Sequence, residues 1–369
     1  MKTVLVTLEF PPSVGGVENY YYKLSANWPD EFIVVDNHNN ELLYKNLPFL
    51  KWLKAVKAIF NILRRTTPDW LIIGEILPLG TASWIVSLFI KHDYCIVLHG
   101  LDFALATKSS YKRWLSKKIL LSSKIIICAN SYTAGLVNDL LKNKKTVSIV
   151  NPGIDKERPL FRQSLASSLR ANYGMEKDVV LISIGRLVER KGFADVISVL
   201  PQVMNEIPNL AYVIVGSGPE ENKLRSMSKD LSLKGKVFFM PGASDEEKWA
   251  WLDTSDIFIM PSKNLNGDYE GFGIVYLEAN LFGKPVIAAD NGGVKDAVVD
   301  HLNGLLIQTQ NLESLALAIK ELATNSELRT TLGKQGQNRA INDFNWSKQT
   351  SLFYDNLKKI YDFNNNTNS

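Results

Sequence analysis

Two basic side chains, five residues apart near the middle of this sequence of 369 residues, are of the types that could bind an anionic substrate. Arg186 and Lys191 follow an apolar run that predicts a β-strand, and a helical pattern begins after them. Because an arginine fork and a lysine ammonium at a strand edge can both point at one diphosphate, the pair predicts a diphosphate site. The alternative is a solvated basic turn, and we interpret Arg190 as such a solvated charge.

A second group is formed by two glutamates, Glu270 and Glu278, with a Gly-Phe-Gly turn between them. The backbone N–H groups of Phe272 and Gly273 are predicted to be unsatisfied donors at a helix start, where an anion binds well. Eight residues of helix rise about 12 Å, whereas paired hydrolase carboxylates lie roughly 5–9.5 Å apart. The glutamates are therefore predicted to hold two ends of one long ligand. The alternative for Glu270 is a carboxylate that stabilises the helix N-terminus through the helix dipole, and the alternative for Glu278 is an ordinary exposed residue.

Two weaker signals lie in the first half of the chain. Gly15 and Gly16 stand between a strand and a helix, so backbone N–H groups could approach a phosphate there, although a plain tight turn explains them equally well. His99 ends another strand, from which it could donate to an anion or a hydroxyl group. A structural role is the alternative reading for a single histidine.

The elements that must position these residues are short β-rich runs that alternate with helical patterns. Strands that are apolar on both faces and separated by helices predict parallel sheets covered on both sides. The twelve predicted strands are 2–8, 31–36, 69–74, 95–100, 124–130, 146–153, 179–185, 210–216, 236–242, 257–262, 285–290 and 304–308.

The pattern restarts after a polar stretch at 154–175, which predicts two doubly wound Rossmann-like domains. We place an acceptor-side domain at 1–160 and a donor domain at 170–345. The segment 346–369 is predicted to be a helix that crosses back to the first domain, followed by a frayed tail. Ligands of doubly wound sheets bind at the carboxyl edges of the strands, so the expected site is an interdomain cleft.

The composition is that of a globular protein, with 46% apolar and 22% charged residues. No apolar run is long enough for a spanning helix, and the N-terminus resembles a strand rather than a signal peptide, so we expect a cytoplasmic protein. Cys95 and Cys128 lie in apolar runs, and the histidines have no metal-ligand spacing. We therefore expect no metal and no cofactor.

Charge is unevenly distributed along the sequence. Residues 1–160 hold 20 of the 42 basic and 13 of the 38 acidic side chains, a net charge of +7 against −3 for the rest. Segments 51–65 and 108–124 are basic, contain tryptophan and have no acidic residue. Such segments suit an anionic membrane surface, which would make the protein peripheral on the inner face of the membrane. The alternative is that they are core-facing helices with solvated lysines. No nucleic-acid-binding motif is present.

Nine short motifs follow in one order along nearly the whole chain. They are PPSVGGVE (11–18), HGLD (99–102), ANSYT (129–133), VNPGID (150–155), GRLVERKG (185–192), VGSGPE (215–220), EGFGIVYLEAN (270–280), GKPVIAAD (283–290) and NGGVKD (291–296). This ordered set resembles the family 4 glycosyltransferases of the GT-B fold, and among them the bacterial lipid mannosyltransferases and cell-envelope enzymes.

The resemblance implies roles for the residues that match the motifs. Arg186 and Lys191 would bind the diphosphate and stabilise the leaving group, Glu270 with the backbone of Phe272 and Gly273 would hold the sugar hydroxyls, and Glu278 would hold the ribose. Gly15 and Gly16 would approach the donor phosphate and the acceptor, and His99 would line the donor-sugar side. Pro241 stands where the family usually has glycine, which leaves the donor base open.

The resemblance also implies the reaction, which is transfer of a hexose from a GDP- or UDP-sugar to a glycan or lipid-linked acceptor. Family members retain the anomeric configuration and need no metal. The pathway would be lipopolysaccharide or polysaccharide biosynthesis. The alternatives are a non-catalytic sugar-binding protein, or another GT-B activity such as a nucleotide-sugar epimerase or a sugar phosphorylase.

Overall fold

The chain forms two compact units of the α/β class. The computed structural model describes residues 1–13, 15–44, 50 and 52–367. Unit 1 comprises Met1–Gly153 and Trp346–Ser369, and unit 2 comprises Ile154–Asn345. Val14 of the motif at 11–18, Lys51 of the segment 51–65 and residues 368–369 of the expected tail lie outside the described residues.

Unit 1 is built on a parallel sheet of six strands in the order β2-β1-β3-β4-β5-β6. Its elements are β1 (Thr3–Val6), α1 (Gly16–Ala26), β2 (Phe32–Val35), α2 (Leu53–Thr66), β3 (Trp70–Ile73), a π-helical turn (Ile76–Gly80), α3 (Thr81–Ser87), β4 (Tyr94–Leu98), α4 (Leu101–Thr107), α5 (Ser110–Ser122), β5 (Ile125–Cys128), α6 (Ser131–Leu141) and β6 (Val147–Ile149).

Unit 2 repeats this plan with strands in the order β12-β11-β10-β7-β8-β9, also all parallel. Its elements are α7 (Gln163–Asn172), β7 (Val179–Ile184), a 3₁₀ turn (Glu189–Lys191), α8 (Phe193–Glu206), β8 (Leu210–Val215), α9 (Glu221–Asp230), β9 (Val237–Met240), α10 (Asp245–Thr254), β10 (Ile257–Met260), α11 (Ile274–Leu281), β11 (Val286–Ala289), α12 (Val294–Ala297), β12 (Gly304–Ile307), α13 (Leu312–Thr324) and α14 (Ser326–Asp343). All twelve predicted strands are present, and the prediction of two doubly wound sheets is confirmed.

Alternation of side chains along each strand explains why both faces of the sheets are covered. In β1, Val4 and Val6 enter one apolar cluster while Leu5 enters another on the opposite face. In β7, Ile182 and Leu181 divide in the same way between two clusters. Since successive strand residues point to opposite faces, only a strand that is apolar throughout can be buried on both sides.

The last helix, α15 (Trp346–Thr367), belongs to unit 1. Trp346, Phe353 and Leu357 are buried in the same cluster as Leu5 and Tyr20, so the segment that follows unit 2 completes the core of unit 1. The tail expected to fray from residue 364 continues as helix to Thr367. Asn364 accepts a hydrogen bond from Lys124 and donates one to Asp93, which fixes the end of the helix.

Each sheet reverses its strand order once, and the reversal marks where a ligand site is expected. In unit 1 the chain runs from β1 outward to β2 and then continues on the other side of β1 with β3. In unit 2 it runs from β7 through β8 to β9 and continues on the other side of β7 with β10. In doubly wound sheets the carboxyl edge at such a reversal is the usual place for a ligand.

Among the described residues, no helix is both long and apolar enough to span a bilayer.

Candidate functional site

The loop after β7 holds Arg186 at the switch point of unit 2. Leu187 donates its N–H to Ser217 at 3.0 Å, and its carbonyl accepts from the N–H of Glu220 at 3.1 Å. Gly218 is required beside this loop, because a Cβ there would lie 2.4 Å from the carbonyl oxygen of Leu187. The loop is thus fixed by its backbone, while the exposed Arg186 side chain pairs with no described residue. It is a cation available to a ligand.

Lys191 lies at the end of the 3₁₀ turn, and Gly192 places this turn against the loop after β10. Gly192 has φ +77°, and a Cβ on it would lie 2.2 Å from the carbonyl oxygen of Pro261. Only glycine accommodates both the left-handed backbone and this close approach. As a result Lys191 faces the β10 loop, where its Nζ lies 2.6 Å from Oε2 of Glu270.

Glu270 is a buried carboxylate that receives two cations on one oxygen. Arg190 Nη1 lies 2.9 Å from the same Oε2, and Arg190 Nε lies 3.1 Å from Asp268 Oδ1. Burial alone would raise the pKa of Glu270, but Lys191 and Arg190 hold it below its ordinary value. Oε1 accepts no hydrogen bond from a described residue, so it remains available to a hydroxyl donor.

The interpretation of Arg190 as a solvated charge was therefore wrong. Its side chain is only 19% exposed and bridges Asp268 and Glu270. Sequence spacing alone could not show this, because the partners lie about 80 residues away on the loop of the neighbouring strand. The parallel pairing of β7 with β10 brings the two loops together.

The start of α11 presents backbone donors beside Glu270. Gly273 is the N-cap residue at φ +79°, and no side chain caps the helix. The N–H groups of Phe272 and Gly273 donate to no acceptor in the described part of the chain. Phe272 is buried against Phe344, with ring centroids 5.7 Å apart, which fixes the turn. This is the helix-start arrangement that the sequence predicted, and it suits an anion or a sugar oxygen.

Glu278 lies on α11, whereas Glu270 precedes this helix. The 12 Å rise expected between the two glutamates does not apply, because the helix begins only at Ile274. Burial raises the pKa of Glu278, and Lys248, whose Nζ is 3.8 Å from Oε2, opposes that shift. Lys248 also lies over the Trp249 ring at 3.5 Å. The sequence offered no signal for Lys248, which is on α10.

Unit 1 has a cavity of about 350 Å³ at its own switch point. The loops after β1, β3 and β4 line it together with the helices that follow them. The lining residues are Leu8, Glu9, Val17, Gly74, Glu75, Leu77, His99, Leu101, Asp102, Leu105, Ala106 and Lys112. Glu9 and Glu75 each follow a strand end, which is the signal by which sequence reasoning could have found them. The cavity therefore combines apolar walls with several acidic groups.

His99 lines this cavity as a neutral ring. Burial lowers its pKa to about 4. The Tyr21 hydroxyl donates to the carbonyl of Gly74 at 2.7 Å, so His99 Nε2 must be the donor in its 3.1 Å contact with Tyr21. The remaining nitrogen, Nδ1, is an acceptor. The expectation that His99 donates to an anion is corrected: it can accept a hydrogen bond from a hydroxyl group.

Gly15 and Gly16 lie at the start of α1. Gly15 is the N-cap residue, and a Cβ on it would lie 2.3 Å from the Glu18 carboxylate, whereas a Cβ on Gly16 would meet nothing within 4 Å. Open space next to Gly16 allows a ligand to approach the backbone. The nearby Glu18 carboxylate would have to turn away from an incoming phosphate, because like charges repel.

Three carboxyl groups of the cavity have raised pKa values. Burial raises the pKa of Glu75 to about 8, although it accepts hydrogen bonds from Thr7 Oγ1 at 2.8 Å and Leu8 N at 3.0 Å. Burial raises the pKa of Asp102 to about 6, and its Oδ2 is buried without a partner. Burial and the charges of Glu18 and Asp102 raise the pKa of Glu9. Part of the carboxyl groups that line the cavity is therefore protonated at neutral pH.

Glu75→Gln is expected to stabilise the protein increasingly as pH rises. The folded pKa of Glu75, about 8, exceeds the unfolded value of 4.5, so its favourable contribution is complete below pH 4.5 and is lost as pH rises to 8. Glutamine cannot ionise, so the variant does not lose stability in this way. We expect the unfolding temperature of the Glu75→Gln variant to exceed that of the wild type by several degrees at pH 8 and to be unchanged or lower at pH 4.5.

Thermal unfolding at pH 4.5, 6 and 8 measures this, and Glu41→Gln at an exposed position is the control. A difference between Glu75→Gln and the wild type that does not change with pH would contradict a protonated Glu75.

Comparisons with known proteins agree with this architecture. Residues 167–339 match the family model described as Glycosyl transferases group 1. A GDP-mannose-dependent alpha-(1-6)-phosphatidylinositol monomannoside mannosyltransferase of Mycolicibacterium smegmatis is 26% identical over 93% of this chain and 94% of that protein. The GDP-mannose-dependent monoacylated alpha-(1-6)-phosphatidylinositol monomannoside mannosyltransferase of Corynebacterium glutamicum is 27% identical over 94% of both chains.

Solved structures show the same fold over nearly the whole length. A glycosyltransferase of Rickettsia africae has a TM-score of 0.81 at 17% identity, with 97% of this chain and 98% of that chain covered. Anabaena HepE in complex with UDP has a TM-score of 0.77 at 19% identity, with coverage of 97% and 100%. Residues 167–339 thus match the model described as Glycosyl transferases group 1, and the chain as a whole is a glycosyltransferase of the GT-B fold.

Proposed function

We propose that the protein transfers a hexose from a GDP- or UDP-sugar to a glycan or lipid-linked acceptor of cell-envelope biosynthesis, with retention of anomeric configuration. The observation that carries the proposal is the unit 2 switch point. There Lys191 pairs with the buried carboxylate of Glu270, the uncapped start of α11 follows Glu270 closely in the chain, and the exposed Arg186 lies on the same loop as Lys191. This arrangement suits a ligand that has a diphosphate at one end and hydroxyl groups beside it.

Unit 2 offers a suitable group for each part of the nucleotide-sugar donor. The diphosphate pairs with Arg186 and Lys191, and the sugar hydroxyls donate to Oε1 of Glu270. The N–H groups of Phe272 and Gly273 donate to oxygens of the donor. Glu278 accepts from the ribose hydroxyls. The GDP-mannose dependence of the two mannosyltransferases supports a guanine nucleotide, while UDP in the HepE structure keeps a uracil nucleotide as the second candidate.

The proposed reaction is substitution on one face of the sugar. The bond between the anomeric carbon and the leaving phosphate oxygen breaks, and the acceptor oxygen forms its bond on the same face. The acceptor proton moves to the departing phosphate. Arg186 and Lys191 stabilise the charge that grows on that phosphate, a task that a metal ion performs in other enzymes. We therefore propose that neither a metal nor a cofactor takes part.

Binding of a nucleotide diphosphate in EDTA tests the donor site. We expect calorimetry with GDP, UDP and ADP to show selective binding of GDP or UDP, because the cations recognise the diphosphate without a metal bridge. Arg186→Ala is expected to weaken that binding, and Arg162→Ala, at an exposed ion pair elsewhere in unit 2, should leave it unchanged. A folded wild-type protein that binds none of the three would contradict the proposed function.

Removal of either cation is expected to slow the reaction strongly. Arg186→Ala and Lys191→Ala should each lower turnover by about 10² or more, on the scale of one lost charge-stabilising donor. The assay is release of nucleotide diphosphate from the sugar donor of the nucleotide that calorimetry selects. Arg225→Ala, at an exposed ion pair on α9, is the matched control. Turnover close to that of the wild type in both variants would refute these roles.

The acceptor side is assigned to the unit 1 cavity and the helices next to it. Acidic groups and the acceptor nitrogen of His99 suit the hydroxyls of a sugar ring, and ionised carboxylates would repel a phosphate. Leu101, Leu105 and Lys112 line the cavity and are also exposed at the surface. An acceptor could place its sugar in the cavity and its phosphate and lipid outside it.

The outer face of α5 fits an anionic membrane surface. Tyr111 and Trp114 are 69% and 53% exposed and stack at 6.3 Å, and Ser116, Ile119 and Leu120 face inward. Basic side chains accompany the aromatic pair at positions 112, 113, 117 and 118. Helix α2 differs, because its one aromatic residue, Phe60, is partly buried against the core instead of exposed. We therefore restrict the membrane proposal to 108–124 and leave out 51–65.

Vesicle binding tests this surface. Replacement of Lys112, Arg113, Lys117 and Lys118 by glutamine should weaken binding to vesicles that contain phosphatidylglycerol by at least about tenfold, because each basic residue near such a surface contributes roughly 1 kcal/mol. Sedimentation with vesicles measures it, and neutral phosphatidylcholine vesicles are expected to bind weakly throughout.

The control variant carries Lys57→Gln, Arg64→Gln and Arg65→Gln on the exposed side of α2. Loss of binding in this variant but not in the α5 variant would contradict the assignment to α5.

A further inference from the structure

Arg190 occupies a position in unit 2 that neither the family comparison nor the donor contacts explain. Its guanidinium spans two carboxylates, with Nη1 2.9 Å from Glu270 and Nε 3.1 Å from Asp268. Its backbone is also fixed, because its carbonyl accepts the N–H of Lys263 at 2.7 Å. The side chain is 19% exposed, whereas Asp268 is 54% exposed, so the inner contact is with Glu270.

The donor site contains a conflict of charge that Arg190 resolves. Without ligand, Lys191 pairs with Glu270 at 2.6 Å. When a diphosphate binds, the same ammonium is needed by the phosphate oxygens. A buried carboxylate left without a cation is costly, and a lysine that must serve both anions binds each of them less well. A second cation on Glu270 frees Lys191 for the diphosphate.

We propose that Arg190 is the positioning residue of the donor site: it keeps Glu270 neutralised and oriented so that Lys191 can move to the diphosphate and Oε1 can receive the sugar hydroxyl. This inference rests on the proposed function. Arg190 itself touches neither the diphosphate nor the sugar. It acts through Glu270 and is held from the other side by Asp268.

The geometry explains why an arginine serves at this position. Its planar fork presents separate N–H groups to two carboxylates at once and stays charged at every relevant pH. A lysine offers one compact charge and could reach Glu270 or Asp268, but it would not fix the plane of the carboxylate. The Arg190→Lys variant should therefore still neutralise the charge of Glu270, but it should no longer fix the orientation of the Glu270 carboxylate.

The test compares nucleotide and nucleotide-sugar affinities in a set of variants. Calorimetry is run with GDP, GDP-mannose, UDP and UDP-glucose on the full chain. Arg190→Gln should lower the affinity for the nucleotide that the wild type binds by about tenfold, the effect expected for loss of a charged partner. The affinity for the corresponding nucleotide-sugar should fall further, because Glu270 also loses its orientation. Arg190→Lys should keep the nucleotide affinity within about threefold of the wild type and still lose affinity for the nucleotide-sugar.

A double variant separates this electrostatic role from a merely structural one. In Arg190→Gln with Glu270→Gln, no carboxylate competes for Lys191, so nucleotide affinity should return to within about threefold of Glu270→Gln alone. Arg162→Gln is the control for loss of an exposed arginine pair. The unfolding temperature of each variant shows whether the fold is kept, and Arg190→Lys keeps the charge if Arg190→Gln does not fold.

Wild-type affinities in Arg190→Gln, or a double variant as weak as Arg190→Gln, would overturn the role of Arg190 while the donor site stands. Absence of binding by the wild-type protein would instead overturn the donor site and this inference together.

Discussion

A buried carboxylate shared by two cations holds the second unit's switch point together. Glu270 comes from the loop after β10, and Lys191 and Arg190 come from the loop after β7. Their attraction acts in a site shielded from water, where charges interact more strongly than at the surface. Two close backbone approaches reinforce it: Gly192 against Pro261 and Gly292 against the carbonyl of Glu270, where a Cβ would lie 2.2 and 2.3 Å away. The backbone fixes the loops, and the charges fix the side chains.

Opposite electrostatics in the two units suit opposite ends of the reaction. Unit 2 gathers cations and helix-start N–H groups, which fit a diphosphate. The unit 1 cavity gathers carboxyl groups with raised pKa values and a neutral histidine. Such a lining suits hydroxyl groups, which can donate to a carboxylate and accept from a protonated carboxyl group. A group of four basic side chains of unit 1, at positions 112, 113, 117 and 118, lies on α5, where a membrane surface could contact them.

Much of the fold could be predicted from the sequence because apolar strands and intervening helices repeat twice along it. Every predicted strand is present, and the loops after β7 and β10 bring Lys191 and Glu270 into contact. Contacts between side chains on the loops of neighbouring strands could not be predicted, because their residues lie far apart in the sequence. Arg190 was interpreted as solvated because its partners Asp268 and Glu270 are about 80 residues away. The donor or acceptor character of His99 depended in the same way on distant partners, since the hydrogen bond from Tyr21 to Gly74 decides which ring nitrogen is free.

The prediction that Glu270 and Glu278 hold two ends of one ligand was based on a helix that the structure does not contain. An eight-residue helix was assumed, but the three residues from Gly271 to Gly273 form a turn, and only Ile274 onward is helical. The N–H groups of Phe272 and Gly273 lie in this turn and donate to no described acceptor. The same turn keeps Glu270 outside α11, in the loop where Arg190 and Lys191 contact it. The break that invalidates the 12 Å rise is therefore the feature that joins carboxylate, cations and backbone donors into one site.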